Sequence, residues 1–366
     1  MKSANESSTN ANYDDFAARR SGVSGDDEIQ LPEFTSLLPV KLHPDSEELV
    51  PASDHWTRTY LRSCARTDAE LETLIEAGLA RLTCYMLPNA PRGAVQATCD
   101  LWQQVVLLDD AMSDRGWLGA SIHAAQNAVG RIMTALTGWG SPDAATDAVR
   151  DAASRLRPYL PAERWERFAA EYADLLDGFL IEVATRNRDG LEDFEAYMKR
   201  RRITVGAKWV IVLAELMSGA ELDPCVPSHP QVLQLRDVAL DHLWLANDLF
   251  SFLKEQVRGE YISAIPLLQR CEGQRPQQAV TWLLDQVADQ ERKFFDLRRT
   301  ILSGELAEHA GLSAYLDNVA HIMSGTLHWS WTTSRYHVPG RPDPRGAGWR
   351  PKPAPADAVD PPRRKT

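Results

Sequence analysis

The sequence predicts an all-α protein, and two observations carry that prediction. Apolar residues recur at helical spacing from about residue 67 to residue 334. The period-two alternation and the Asn-Gly turns that are typical of strands are nearly absent, and no repeat of fixed period occurs. We therefore expect one domain of roughly ten or more helices, arranged as a bundle or barrel, over residues 29–339.

Composition narrows the classes of function. The 366 residues are 44% hydrophobic and 25% charged, which is ordinary for a soluble globular protein. A net charge of −11 argues against a nucleic-acid partner, because phosphate backbones require clustered cations. Five scattered cysteines without a CxxC pair indicate reduced intracellular thiols. Neither an N-terminal leader nor an apolar run of about eighteen residues is seen, so we expect a cytoplasmic protein without membrane insertion.

The predicted elements follow in order along the chain. Residues 1–28 are rich in Ser, Asn, Asp and Gly, which indicates a disordered arm. A capping box at Thr67–Glu70 begins a helix that Pro88 ends, and the next helix runs from about Arg92 into an acidic cluster. Later helices are predicted at about 118–138, 143–157, 161–186, 191–218, 229–257, 275–302 and 306–334. Pro and Arg dominate residues 340–366, which we interpret as a disordered tail.

The strongest chemical signal is a polar stripe in an apolar helix. Asn247, Ser251 and Glu255 stand at i, i+4 and i+8, within about 80° of one another on one helix face. Asn and Ser are poor residues for a helix interior, so their presence needs a reason. Hard oxygen donors in this pattern suit Mg²⁺. The alternative is an exposed polar strip, which the bulky apolar neighbours disfavour.

A second cluster, Asp109-Asp110-Ala111-Met112-Ser113-Asp114, ends another apolar run. Crowded carboxylates raise one another's pKa unless a cation lies between them. Taken alone, an acidic helix end is usually a solvated surface. The apolar approach from Leu101 to Leu108 indicates instead that this helix ends in the core.

Two cationic segments complete the pattern. Arg200, Arg201 and Arg202 precede a Thr-Val-Gly sequence that should break the helix. Guanidinium groups bind phosphate oxygens bidentately, although a basic triplet can also be a solvated helix face. Arg335-Tyr336 closes the last helix and offers a further grip on an anion. Alternatively, Arg335 is a simple helix C-terminal residue whose positive charge interacts favourably with the helix macrodipole.

These motifs together resemble the bacterial class I terpene synthases, over roughly Leu38 to Pro339. Asp109-Asp110-x-x-x-Asp114 is similar to the aspartate-rich motif of that family, and Asn247-Asp248-x-x-Ser251-x-x-Lys254-Glu255 to its second metal motif. Arg201 lies 46 positions before Asn247, as the family's diphosphate-sensing arginine does. Thr204 and Val205 match the linker and effector positions, and Arg335-Tyr336 the terminal pair.

The resemblance implies a class I terpenoid synthase fold and a terpene cyclase that ionises a linear prenyl diphosphate. Three Mg²⁺ ions, with Mn²⁺ as an alternative, would be held by Asp109, Asp114, Asn247, Ser251 and Glu255. Arg201, Lys254, Arg335 and Tyr336 would donate to the diphosphate. Asp110 is expected to orient Arg201, and Val205 to act as the effector. A homodimer is common in the family.

The resemblance also implies an aromatic pocket for a carbocation, for which Trp102, Trp209, Trp244 and Trp329 are candidates. Two departures from the family pattern matter. The aspartate motif carries one extra residue, which leaves its direct ligands open. Val106 replaces an aromatic residue of many relatives, so the farnesyl and geranylgeranyl chains both stay candidates.

Two other functions stay open at this point. A chain-elongating prenyl diphosphate synthase would share the fold and the metal, but it usually carries two aspartate-rich motifs. A non-catalytic helical binding protein would give no reason for metal-spaced donors on apolar faces. The Asn/Ser/Glu stripe favours the cyclase.

Overall fold

Helices make up most of the computed structural model of the protein, which describes residues 29–32, 34–113, 116–185, 193–217, 222–258, 263–338, 343 and 345. Within these ranges no residue is in a strand, which confirms the all-α prediction. The predicted arm at 1–28 lies outside the described residues, as does the predicted tail at 340–366 apart from Asp343 and Arg345. The α-helices are α1 Ser46–Tyr60, α2 Asp68–Glu76, α3 Leu79–Met86, α4 Arg92–Met112, α5 Ile122–Leu136, α6 Ala144–Leu156, α7 Ala162–Thr185, α8 Phe194–Thr204, α9 Lys208–Leu213, α10 Pro230–Arg258, α11 Ala264–Glu272, α12 Pro276–Ser303 and α13 Leu312–Thr332.

The structure differs from the prediction at three places. Helices α1 and α11 were not predicted from the sequence, and α2 and α3 were predicted as one continuous helix. Gly78 separates α2 from α3 with a φ of 69°, a left-handed conformation that glycine adopts without steric cost. Thr67 does cap α2, since its side chain accepts from the Glu70 N–H at 3.1 Å. The Glu70 carboxylate, however, accepts from the Arg66 N–H at 2.6 Å instead of closing the box.

Packing around α10 places the ends of the site-bearing helices together. This helix lies against α12 and α13, while α3 lies between α4 and α13. Gly325 allows the close approach of α13 to α3, because a Cβ there would come within 2.7 Å of the Tyr85 backbone. One apolar core extends from Ile29 to Tyr336. None of the described helices is long and apolar enough to cross a membrane.

An extended segment before α1 crosses the outside of α12. There the buried Glu291 carboxylate, only 1% exposed, accepts from the Ser36 hydroxyl at 2.7 Å and from the Leu37 N–H at 2.6 Å. Two further hydrogen bonds join the Gln30 backbone to the Gln277 side chain: the Gln30 N–H donates to Gln277 Oε1, and Gln277 Nε2 donates to the Gln30 carbonyl. This segment is therefore held by specific polar contacts as well as by its apolar residues.

Candidate active site

A cavity of about 220 Å³ lies among α3, α4, α7, α8, α10, α13 and the turn at residues 334–336. One part of its wall is apolar: Leu79, Leu82, Met86, Trp102, Val105, Val106, Met112, Leu175, Phe179, Val205, Ala207, Leu243 and Trp329. The other part is polar: Asp109, Asp110, Ser113, Glu182, Arg200, Arg201, Thr204, Asn247, Asp248, Ser251, Lys254, Glu255, Ser263, Thr326, Arg335 and Tyr336. The cavity thus offers an apolar chamber next to a strongly charged one.

The Asn/Ser/Glu stripe faces this cavity from α10. Asn247, Ser251 and Glu255 all belong to its wall, as the helical spacing predicts. Ser251 is 2% exposed, and its hydroxyl makes no hydrogen bond of good geometry with the described residues, although it lies close enough to the Glu255 carboxylate to lower the pKa of that group. Burial, together with the charge of Asp248, raises the pKa of Glu255, and Lys254 opposes that shift. The hydroxyl and the carboxylate are both oxygen donors of the kind that a hard divalent cation prefers.

The acidic cluster reaches the same cavity from the C-terminal end of α4. Asp109 and Asp110 lie in the wall, whereas Asp114 falls outside the described residues. Burial and the adjacent charge of Asp110 raise the pKa of Asp109, and Lys254 and Arg335 lower it. The carboxylates of α4 and α10 therefore share one cavity, although more than a hundred residues separate them along the chain.

Arg201 pairs with Asp248 rather than with Asp110. Its Nη2 and Nε atoms donate to Asp248 Oδ1 at 2.6 Å and 3.0 Å. The Asp110 carboxylate instead accepts hydrogen bonds from both Nη atoms of Arg335, at 3.0 Å and 3.1 Å. The expectation that Asp110 orients Arg201 is wrong, because the end of α4 approaches the C-terminal turn while α8 packs against α10.

A chain of hydrogen bonds links the two ends of the charged chamber. Arg201 Nη2 donates to Asn247 Oδ1 at 2.8 Å, and Asn247 Nδ2 donates to the Tyr336 hydroxyl at 3.1 Å. Arg335, which precedes Tyr336, pairs with Asp110 at 3.0 Å and lies 3.7 Å from Asp109. Burial alone would lower the pKa of Arg201 and of Arg335, but Asp248 and Asp110 raise each above its usual range.

A break between α8 and α9 brings backbone and small side chains into the wall. Gly206 has a φ of 73°, and a Cβ at this position would lie 3.2 Å from Leu175 Cδ1. Thr204, Val205 and Ala207 line the cavity on either side of the glycine. The Thr204 hydroxyl also accepts from Arg201 Nη1 at 3.0 Å, so the break and the arginine form one unit.

The aromatic predictions divide into two groups. Trp102, Trp329 and Val106 line the cavity. Trp244 does not belong to its wall, contrary to expectation, because the α10 face that bears it packs on Tyr197 and its Nε1 donates to Asp241 at 3.0 Å. Trp209 lies behind Trp102, with ring centroids 5.1 Å apart, and does not reach the cavity either.

Sequence reasoning missed several contributors to the site. Asp248, 1% exposed, accepts from the Tyr197 hydroxyl and from the Ala264 N–H at 3.0 Å, in addition to Arg201. A carboxylate inside an apolar helix was the available signal for Asp248. Glu182 of α7 lines the cavity and pairs with Arg200 at 3.1 Å, and no local pattern marks it.

The donors fit a hard divalent cation. Carboxylate, amide and hydroxyl oxygens from α4 and α10 face one cavity, and among the described residues of its wall there is no thiol or imidazole. Burial is the main cause of the raised pKa values of Asp109 and Glu255, and a bound cation would lower both. Asn247 Oδ1 accepts from Arg201 and keeps a second lone pair that can bind a cation.

Comparisons with known proteins agree with this geometry. The model of "Terpene synthase family 2, C-terminal metal binding" matches residues 66–293. Microbial Terpene synthase-like protein 13 of Selaginella moellendorffii is 24% identical over 81% of this chain and 84% of its own length. Pristinol synthase of Streptomyces pristinaespiralis is 26% identical, covering 83% and 84%.

A solved structure shares the fold. The crystal structure of germacradien-4-ol synthase from Streptomyces citricolor superimposes with a TM-score of 0.69 at 21% identity, over 85% of this chain and 100% of that one. The family match identifies the family of this chain, and the helical cavity with two oxygen-rich helix ends at its wall agrees with it. The chain belongs to terpene synthase family 2 and is a class I terpene synthase with a divalent-metal-binding domain.

Proposed function

We propose that this enzyme binds farnesyl or geranylgeranyl diphosphate, ionises it with the help of Mg²⁺, and cyclises the resulting allylic cation. The observation that carries the proposal is the division of a single cavity into an apolar chamber and a chamber of carboxylates and guanidiniums. A prenyl diphosphate has the same division between its hydrocarbon chain and its charged head.

Residues of α4 and α10 would hold the metal. We assign this role to Asp109 and to Asn247, Ser251 and Glu255, with Asp114 as a further proposed ligand. Bound Mg²⁺ would supply positive charge against the diphosphate as the carbon–oxygen bond breaks. Mn²⁺ has a similar preference for oxygen ligands and could replace it.

The buried cations would stabilise the leaving group. Arg201 and Arg335 stand charged at the cavity wall, Arg201 paired with Asp248 and Arg335 with Asp110 and Asp109. A diphosphate gains negative charge during ionisation, so donors aimed at it stabilise the transition state more than the ground state. Lys254 and Tyr336 line the same chamber and would add two more donors.

The apolar chamber would then control the cation. Trp102 and Trp329 can stabilise positive charge through their ring faces. The surrounding aliphatic side chains exclude water, which would otherwise quench the cation to an alcohol. Val205, next to Gly206 at the helix break, would press on the substrate near the point of ionisation.

The experiment is incubation of purified enzyme with Mg²⁺ and, separately, geranyl, farnesyl and geranylgeranyl diphosphate, followed by gas chromatography–mass spectrometry of hexane extracts. A cyclic product from the fifteen- or twenty-carbon substrate supports the proposal. Longer linear diphosphates formed after addition of isopentenyl diphosphate would contradict it in favour of chain elongation.

A variant tests the metal assignment directly. The double replacement Asn247→Ala with Ser251→Ala should abolish Mg²⁺-dependent diphosphate release while the helical circular dichroism is retained. Retained turnover in the double variant would overturn the assignment of α10 as the metal-binding helix.

A further inference from the structure

A second group of metal-ligand side chains lies away from the cavity, where two loops meet. Asp223 and Cys225 belong to the loop before α10, and His309 belongs to the loop between α12 and α13. One ligand atom from each of the three residues lies within 4.8 Å of the other two. His309 lies 84 positions after Cys225 and 86 after Asp223, so the tertiary fold brings it to the other two residues.

The sulfur–nitrogen distance in this cluster matches a tetrahedral site. Cys225 Sγ lies 3.6 Å from His309 Nδ1. In a tetrahedral zinc site with Zn–S of about 2.3 Å and Zn–N of about 2.0–2.1 Å, sulfur and nitrogen are about 3.6 Å apart. Asp223 Oδ2 lies 2.8 Å from the same Nδ1, as a hydrogen bond, and would move to about 3.4 Å around the ion.

The local backbone prepares this arrangement. The Cys225 N–H donates to Asp223 Oδ1 at 3.0 Å, which turns the other carboxylate oxygen toward His309. The Asp223 N–H donates to the Ala310 carbonyl at 3.4 Å and joins the two loops independently of the side chains. Asp223 and His309 are 38% and 30% exposed, so an ion has access from solvent.

We propose that Asp223, Cys225 and His309 bind one Zn²⁺, with water as the fourth ligand, and that this ion fastens the two loops together. Thiolate, imidazole and carboxylate are the ligands that zinc prefers, and the set differs in kind from the all-oxygen donors of the catalytic cavity. Binding would release the thiol proton and move the ring proton of His309 from Nδ1 to Nε2.

The position implies a structural role. Pro230 begins α10 just after this loop, and Asn247 follows 17 positions later, which corresponds to about 26 Å along the helix. His309 precedes α13, whose far end leads to Arg335. Zinc would thus tie α10 and α13 together at the ends opposite to their catalytic residues, and should raise stability without changing the reaction.

Cobalt spectroscopy tests the site. EDTA-treated enzyme, held at saturating Mg²⁺ to fill the oxygen-rich cavity, is titrated with Co²⁺ and then with Zn²⁺. We expect a thiolate-to-cobalt charge-transfer band that saturates at one Co²⁺ per chain and disappears as Zn²⁺ displaces it. The same Zn²⁺ addition should raise the thermal unfolding midpoint.

Variants make the test specific. Cys225→Ser should remove the band, and His309→Ala should weaken Co²⁺ binding by about 10-fold or more. Cys271→Ser is the matched control, because Cys271 is also an exposed free cysteine and lies outside the cluster. Absence of the band in wild type overturns the proposal. So does a band that persists in Cys225→Ser, or one that both His309→Ala and Asp223→Ala leave unchanged.

Discussion

Arg201 and Asp248 form a buried ion pair that joins α8 to α10 at the catalytic cavity. Arg201 Nη2 lies 2.6 Å from Asp248 Oδ1, and the two side chains are 12% and 1% exposed. The same guanidinium also donates to Thr204 at the helix break and to Asn247 in the polar stripe of α10. A diphosphate that draws Arg201 toward itself would therefore change the hydrogen bonds of Thr204 and Asn247 at the same time.

The first prediction concerns this pair. Asp248→Asn keeps the side-chain volume but leaves Arg201 buried without its counter-charge, so the free energy of unfolding should fall by about 3–5 kcal/mol. Chemical denaturation measures it. Asp241→Asn is the matched control, since Asp241 and Arg202 pair across the same two helices at the higher exposures of 18% and 38%, and an asparagine Oδ1 can still accept from Trp244. It should cost about 1 kcal/mol or less, and equal losses in the two variants would contradict the account.

The second prediction separates function from stability at Ser251. Because its hydroxyl is buried and makes no hydrogen bond of good geometry with the described residues, Ser251→Ala should change the free energy of unfolding by only about 1 kcal/mol or less. Steady-state turnover should nevertheless fall by about 100-fold if the hydroxyl is a metal ligand. Ser330→Ala is the control, because the Ser330 hydroxyl is likewise buried without a hydrogen bond of good geometry among the described residues, and it does not line the cavity. Its turnover should stay that of wild type.

The third prediction concerns the helix break. Gly206→Ala forces a left-handed φ on alanine, at about 1–2 kcal/mol, and adds a contact with Leu175. Gly273→Ala has a similar φ of 66° but open space around the new Cβ. The difference in unfolding free energy between the variants gives the cost of crowding. Product distribution should change only in Gly206→Ala, and a change in Gly273→Ala would argue against a local effect.

The fourth prediction is a pH dependence that arises outside the cavity. Burial raises the pKa of Asp100 from 3.8 to about 6, despite Arg155 at 2.8 Å. Because the folded pKa exceeds the unfolded one, the folded state favours the protonated carboxyl, and stability is lost as pH rises through this interval. The loss is about 3 kcal/mol and is complete above about pH 6.

Asp100→Asn should remove that slope. Unfolding free energies measured between pH 4 and pH 7 should therefore show the variant gaining stability relative to wild type as pH increases. A difference between the two proteins that does not vary with pH would rule out Asp100 as the titrating group.

The fifth prediction concerns the length of the substrate. Val106 lines the cavity, so Val106→Phe should reduce kcat/KM for geranylgeranyl diphosphate relative to farnesyl diphosphate by about 10- to 200-fold. Val106→Ala should shift the same ratio in the opposite direction. Competition assays with both substrates measure the ratio, and parallel changes in the two variants would exclude Val106 as a determinant of chain length.

Local spacing was enough to predict the parts of the site that lie on one helix. The i, i+4, i+8 positions of Asn247, Ser251 and Glu255 place them on one face regardless of tertiary structure, and that face does line the cavity. The same holds for Asp109 at the end of an apolar helix. Most helices followed from apolar periodicity in the same way.

Partners across helices could not be read from spacing. Whether Arg201 meets Asp110 or Asp248 depends on how α8 approaches α10, and the two carboxylates are equivalent as local patterns. The prediction that Trp244 lines the pocket was wrong for a related reason. Each one-residue step along α10 rotates the side chain by about 100°, so Trp244 faces away from the side that lines the cavity. Its neighbours Leu243 and Asn247 do reach the cavity.

The contacts of Glu291 set a limit on how far the chain can be shortened. The family match begins at residue 66, yet Ser36 and Leu37 donate to this carboxylate from outside that range. Hydrogen bonds to a charged group contribute about 1.5–3 kcal/mol each. A truncation that starts after Leu38 would strand a buried charge on α12, so expression boundaries for this enzyme belong upstream of Ser36.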